Sequence, residues 1–109
     1  MGVLDKCAKR RKYPIDIDGE KIHVRALTYD EIDRLQLIDK ESRTGFIVAC
    51  GLLEETGEPA IPVRTESETD AEWITRVVPL VRSMPSDTIL TIVEAVDKVS
   101  RPADKLAKN

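Results

Sequence analysis

The stretch from Val24 to Leu35 constrains the fold of this chain more than any other part, because it joins two kinds of secondary structure within twelve residues. Apolar and polar residues alternate before it, and apolar residues recur at spacings of three and four after it. Thr28 and Glu31 stand at the junction with the spacing of a capping box, in which each side chain accepts a backbone N–H from the other residue. The sequence therefore predicts that a strand ends and a helix begins inside this stretch.

A β-hairpin is predicted over residues 13–25. Asp18-Gly19 separates two alternating segments, and this dipeptide suits the positive φ angles of a tight hairpin turn. Because a hairpin alone is marginally stable in water, we expect the helix that follows at once to cover its apolar face. That face consists of Ile15, Ile17, Ile22 and Val24.

Helical patterns follow the hairpin at about 29–40, 42–54, 70–84 and 86–100. The second is apolar on almost all sides, which is typical of a helix at the centre of a core or at an interface. Pro79 stands inside the third, and we expect it to kink or break that helix because proline lacks the N–H that closes the preceding turn. The composition of residues 55–69 predicts a long acidic loop. Loops of this length are usually functional or mobile.

Length and composition favour one folded domain, since the 109 residues are 41% hydrophobic and 34% charged. No apolar run approaches the roughly eighteen residues of a membrane-spanning helix, and no apolar segment of the signal-peptide kind follows the basic N-terminus. We expect an α+β, mostly α fold, in which an N-terminal two-stranded β-hairpin precedes four to five helices. The expected organisation is a single globular domain at 13–100 between a basic flexible tail at 1–12 and a flexible C-terminal tail at 101–109.

The net charge of −3 conceals two oppositely charged segments. Residues 1–12 contain five basic residues and one acidic residue, a net of +4, whereas residues 54–72 contain seven acidic residues and one arginine, a net of −6. A nucleic-acid-binding domain more often spreads basic residues over a folded face. The basic run is therefore interpreted as a solvated tail and not as a nucleic-acid-binding surface.

Residue types that carry chemistry are few. The single His23 has no second His or Cys at metal-ligand spacing, so we expect no metal. Cys50 lies in an apolar run and is predicted to be a buried thiol, and Cys7 lies among lysines, so two free thiols are favoured over a disulfide. The glycines are scattered and form no phosphate-binding loop. We expect no cofactor and no enzymatic activity.

Three features, in this order, resemble the tail assembly chaperones of long-tailed bacteriophages. The first is Val24-Arg25-Ala26-Leu27-Thr28 with Glu31 and a Leu/Ile stripe behind it. The second is an apolar helix that runs from Val48 into the acidic turn at Gly57-Glu58-Pro59, and the third is Met84-Pro85-Ser86-Asp87 before a last aliphatic helix. Together they cover roughly residues 24–100, and their order is more specific than any one of them.

This resemblance implies a small, mostly helical, non-enzymatic protein of the bacterial host cytoplasm. Such proteins coat the tape measure protein during tail assembly, help to recruit tail tube subunits, and are absent from the mature virion. The implied partners are thus the tape measure protein and the tail tube protein, in addition to copies of the chain itself, and no membrane is implied.

The apolar helical faces of this chain exceed what a domain of its length comfortably buries, so one stripe is predicted to contact a partner. The residues predicted for that contact are Val77, Val81, Ile89, Val93 and Val96. A compact helical core that buries every stripe explains the same pattern.

Two other functions stay open at this point. A small nucleic-acid-associated regulatory protein would use the basic run Lys6 to Lys12, and its binding would weaken steeply with salt. A structural head–tail or tail component would be retained in the virion.

Overall fold

A three-stranded antiparallel sheet and four α-helices make up the computed structural model, which describes residues 2–3 and 11–100. The predicted α+β, mostly α fold is confirmed. The strands are β1 (Tyr13–Ile17), β2 (Glu20–Val24) and β3 (Leu52–Leu53). The helices are α1 (Tyr29–Leu37), α2 (Arg43–Gly51), α3 (Asp70–Arg82) and α4 (Ser86–Ser100), with one 3-10 turn at Lys40–Ser42.

The hairpin turn has the conformation that its sequence predicts. Asp18 and Gly19 both have positive φ, 52° and 81°, as a two-residue type I′ turn requires. The turn sets the register, with Ile17 opposite Glu20 and Ile15 opposite Ile22. Isoleucines thus lie on the same face of both strands.

A third strand extends the sheet where the sequence predicted the end of a helix. The helix predicted at 42–54 ends at Gly51, and β3 follows at once and pairs with the end of β2, with Val24 opposite Leu52. The chain then turns back through Gly57, whose φ is 94°, and the Ala60 N–H donates to the Leu52 carbonyl at 3.1 Å. The first part of the predicted acidic loop is therefore a tight turn.

Two further helix ends differ from the prediction. The helix predicted at 29–40 ends at Leu37, because Ile38 adopts an extended conformation with ψ of 146°. The helix predicted at 70–84 ends at Arg82 and continues through Pro79, so the predicted break at Pro79 is wrong, and a kink there stays a prediction. Pro79 lies one turn from the end of α3, where a lost backbone hydrogen bond interrupts little of the helix.

The core is built around α2, which packs against both α3 and α4. Phe46 and Val48 of α2 are completely buried, and the Phe46 ring meets the Trp73 ring edge-on at a centroid distance of 5.7 Å. The apolar face of the hairpin packs mainly against α4, whereas the sequence suggested the helix that directly follows the hairpin. The contact that covers this face therefore joins the two ends of the described domain.

The two predicted tails lie largely outside the described residues, and so does Cys7. At the described end of the basic run, the Lys12 ammonium donates to the Glu55 carbonyl at 2.6 Å. Within the described part of the chain, no helix has both the length and the apolar character that crossing a membrane requires.

Candidate functional site

A buried ion pair connects the end of the hairpin with the start of α1. Arg25 directly follows β2, and its Nη1 and Nη2 donate to Oε1 and Oε2 of Glu31, both at 2.7 Å. The two residues are only 5% and 8% exposed. Parallel hydrogen bonds of this kind fix the orientation of both side chains as well as their charge.

Local backbone geometry explains why these two side chains meet. The Arg25 N–H donates to the Gly51 carbonyl at 2.9 Å, which fixes the chain just after β2. Glu31 is the third residue of α1, where the Thr28 side chain accepts its backbone N–H and Glu31 Oε1 accepts the Thr28 N–H. The predicted capping box is present, and it also aims the carboxylate at Arg25.

A second arginine links α1 to α3. Arg34 Nε and Nη2 donate to the Asp70 carboxylate at 3.0 and 2.6 Å, and its guanidinium lies 5.5 Å from the centre of the Phe46 ring. A third arginine, Arg64, brings its Nε to 3.4 Å from the same carboxylate. The hydrogen bonds and charge of Arg34, with the charge of Arg64, hold the pKa of Asp70 below its usual value.

These three arginines line one cavity of about 220 Å³, here called the arginine cavity. Arg25, Arg34 and Arg64 supply the charged part of its wall, with Glu31 between them. The remaining wall is mainly apolar and comprises Ala49, Cys50, Pro59, Val63 and Trp73. The Trp73 ring is itself fixed, because its indole N–H donates to the Pro62 carbonyl at 2.8 Å.

Cys50 is the one thiol in this wall, and its environment makes it unreactive. Burial raises the pKa of the Cys50 thiol well above its usual range, and the Glu31 carboxylate raises it further despite the nearby arginines. The thiol is therefore protonated at neutral pH, and a protonated thiol is a poor nucleophile. Among the residues that the structure describes, Cys50 forms no disulfide and no cluster of His, Cys, Asp and Glu is placed to hold a metal ion.

The residues predicted to bind a partner lie mostly inside the protein. Val77, Val81 and Val96 are at most 3% exposed, and Ile89 and Val93 are half-buried against the same core. In this conformation a partner cannot reach the three buried valines, which are corrected to core residues. Ile89 and Val93 keep part of their surface exposed, so a partner contact stays a prediction for these two. The three valines do lie on the apolar faces that their spacing predicts, but other parts of the same chain cover those faces.

Large apolar side chains on other helix faces are exposed instead. Leu37 of α1 is 86% exposed, and Leu80 of α3 and Leu90 of α4 are about half exposed. None of the three was among the predicted contact residues, because none belongs to the dominant apolar stripe of its helix. An apolar residue that lies away from the main stripe of its helix is a candidate for exposure, and this could have been read from the sequence.

The arginine cavity was not predicted from the sequence either. Arg25 is the last residue of the predicted hairpin, and Arg64 lies inside the predicted acidic loop at 55–69. Glu31 was predicted only to cap α1. Because it lies close in sequence to the end of β2, a contact with Arg25 could also have been predicted.

Comparison with family models, curated proteins and solved structures found no match to this chain.

Proposed function

We propose that this protein is a non-enzymatic tail assembly chaperone of a long-tailed bacteriophage. In this role it binds the tape measure protein in the host cytoplasm, helps to recruit tail tube subunits, and does not remain in the virion. The proposal concerns protein binding alone and requires no cofactor.

The order of three boundary features along the chain carries the proposal. Val24 to Thr28 connects β2 to the capped helix α1. The acidic turn at Gly57 follows α2 and β3, and Met84-Pro85 separates α3 from α4. Each feature of the resemblance thus falls at an element boundary, where the residues have a local structural role.

The exposed leucines are the proposed contact residues in place of the buried valines. Leu37, Leu80 and Leu90 lie on three different helices, and each exposes about half or more of its side chain. A long helical partner offers apolar residues at regular spacing, and helices commonly bind one another through such side chains. Replacement of an exposed leucine also leaves the core intact, so binding and folding are measured separately.

Co-purification with the tape measure protein of the same genome tests the proposal. We expect the tagged chain to retain that protein, and we expect Leu37→Lys, Leu80→Lys or Leu90→Lys to reduce the retained amount. Thr91→Lys is the matched control, because Thr91 is an exposed neighbour of Leu90 on α4 and the change adds the same charge. Circular dichroism of each variant verifies the fold.

Three results would contradict this function. One is a wild-type chain that retains no tape measure protein. Another is the recovery of the chain from purified virions by mass spectrometry, which indicates a structural component. The third is salt-sensitive binding to DNA or RNA that disappears when residues 1–12 are deleted, which indicates the nucleic-acid-associated alternative.

A further inference from the structure

The arginine cavity holds more positive than negative charge. Its three guanidinium groups are paired with two carboxylates, those of Glu31 and Asp70, and Asp70 is shared between Arg34 and Arg64. Asp30 also approaches Arg34 at 3.3 Å, but its side chain is 78% exposed, so water screens this charge. Arg34 and Arg64 therefore share one carboxylate of low exposure, that of Asp70, and one of their two positive charges is not matched by it.

Arg64 is the arginine best placed to supply that charge to a ligand. Its side chain is 37% exposed, whereas Arg25 is almost fully buried and Arg34 is held by a two-pronged contact with Asp70. Arg64 Nη1 donates to the Glu68 carbonyl at 2.7 Å, which holds the guanidinium near the cavity. Arg64 thus combines an anchored position with access from solvent.

The size and polarity of the cavity restrict the ligand further. A volume of about 220 Å³ accepts a short chain of a few heavy atoms, since a water molecule takes up roughly 30 Å³ in the liquid. Val63, Pro59 and Trp73 form an apolar wall suited to methylene groups. A dianion would leave an excess negative charge beside this wall, whereas a monoanion balances the surplus.

We propose that the arginine cavity binds one carboxylate group, carried by a small organic acid or by an acidic side chain of a partner protein. A planar carboxylate matches the planar fork of a guanidinium and its paired N–H donors. This inference does not depend on the proposed tail-assembly function.

The position of Trp73, the one tryptophan of the chain, permits a direct test. Acetate, N-acetyl-glutamate methylamide and inorganic phosphate are titrated separately at low salt, with Trp73 fluorescence and the arginine Nε–H NMR signals as readouts. We expect saturation by at least one carboxylate at roughly 1–10 mM, the range accessible to ligands of a few heavy atoms. We expect the Arg64 signal to shift and Arg64→Gln to weaken binding at least about fivefold.

Arg82→Gln is the matched control, because Arg82 is exposed on α3 and does not line the cavity. If only acetate saturates the cavity, the carboxylate that it binds belongs to a small organic acid. If the blocked glutamate saturates it, the carboxylate belongs to a side chain of a partner protein. Both results support the proposal. Three results overturn it: responses that do not saturate, equal weakening by the two substitutions, or tighter binding of phosphate than of either carboxylate.

Discussion

Arg25 and Glu31 are joined by two parallel hydrogen bonds of 2.7 Å, and the same Glu31 carboxylate accepts the Thr28 N–H at 2.9 Å. One side chain therefore serves both as the cap of α1 and as the counter-charge of a buried arginine. Because the cap fixes the position of the carboxylate, the ion pair costs little additional conformational entropy. The start of α1 is in this way coupled to the end of β2.

The first prediction concerns the charge of Glu31. Glu31→Gln keeps an oxygen that accepts the Thr28 N–H, but it leaves the Arg25 guanidinium buried without a counter-charge. We expect the free energy of unfolding to fall by about 3 kcal/mol, since breaking one side of a buried ion pair is strongly destabilising. Urea denaturation followed by circular dichroism measures the loss.

A second capping box in the same chain supplies the control. Thr69 and Glu72 make the same reciprocal hydrogen bonds at the start of α3, but both residues are exposed. Glu72→Gln is therefore expected to change the stability by less than about 0.5 kcal/mol. Equal losses in the two variants would show that the Arg25 pair adds nothing to the cap.

The second prediction concerns the close approach of α2 and α4 at Gly51. A Cβ atom added there would lie 2.5 Å from Val96 Cγ2 and 3.1 Å from Cγ1. Val96 is completely buried and β-branched, so it has little freedom to rotate away. We expect Gly51→Ala to lower the stability by about 1–3 kcal/mol, the usual cost of overpacking.

Two companion variants make that measurement specific. A Cβ atom at Gly45, also in α2, would meet Val78 Cγ2 at an ordinary 3.5 Å. Gly45→Ala is therefore expected to be neutral or to stabilise by up to about 1 kcal/mol through helix propensity. Adding Val96→Ala to Gly51→Ala should cost less than the sum of the single changes; simple additivity would argue against the clash.

The third prediction is a loss of stability in acid. In the folded state the pKa of Asp70 is lowered by Arg34, and hydrogen bonds from Arg76 and Thr65 lower the pKa of Glu68 to about 2. A carboxylate with a lowered pKa contributes its full stabilisation above its unfolded pKa of roughly 4 and loses it as the pH falls through the folded value. We expect the free energy of unfolding to decrease between about pH 4 and pH 2.

Asp70→Asn tests the share of this dependence that belongs to the Arg34 pair. At neutral pH we expect it to cost about 1–2 kcal/mol, as for a charge-assisted hydrogen-bonded pair that is partly buried. We also expect a flatter acid transition, because one titrating group is removed. Asp87→Asn is the control, since Asp87 occupies the first turn of α4 and forms no ion pair with a described residue. A transition of unchanged slope in Asp70→Asn would refute the assignment.

The features predicted correctly from the sequence are those encoded by neighbouring residues. The hairpin turn depends on Asp18-Gly19, and the start of α1 depends on Thr28 and Glu31, so each is specified within a few positions. β3 is different, because its two leucines form a strand only by pairing with the distant β2. Its apolar residues continued the pattern of α2, and periodicity alone cannot separate the two structures.

The candidate site depends on distant contacts even more. The cavity combines arginines from separate segments of the chain, namely Arg25, Arg34 and Arg64. They meet because α1 and α3 pack around α2, and no local sequence pattern predicts this packing. For the valine stripes, the sequence predicted burial but not the surface that buries them. Val77 and Val96 have the spacing of a buried face, but spacing does not indicate whether the covering surface belongs to the same chain.

The last prediction concerns Pro79, which was expected to interrupt α3 but lies within a continuous helix. Its ring crowds the Thr75 carbonyl and removes one backbone hydrogen bond, and Pro79 itself is exposed, so its replacement sacrifices no core packing. We expect Pro79→Ala to raise the free energy of unfolding by about 1–3 kcal/mol. The gain is reduced because alanine, unlike proline, does not restrict the unfolded chain. Thermal unfolding measures the gain, and Leu80→Ala, at the exposed neighbouring position, is the control that should leave the midpoint almost unchanged. A lower midpoint for Pro79→Ala would show that the proline stabilises the end of α3.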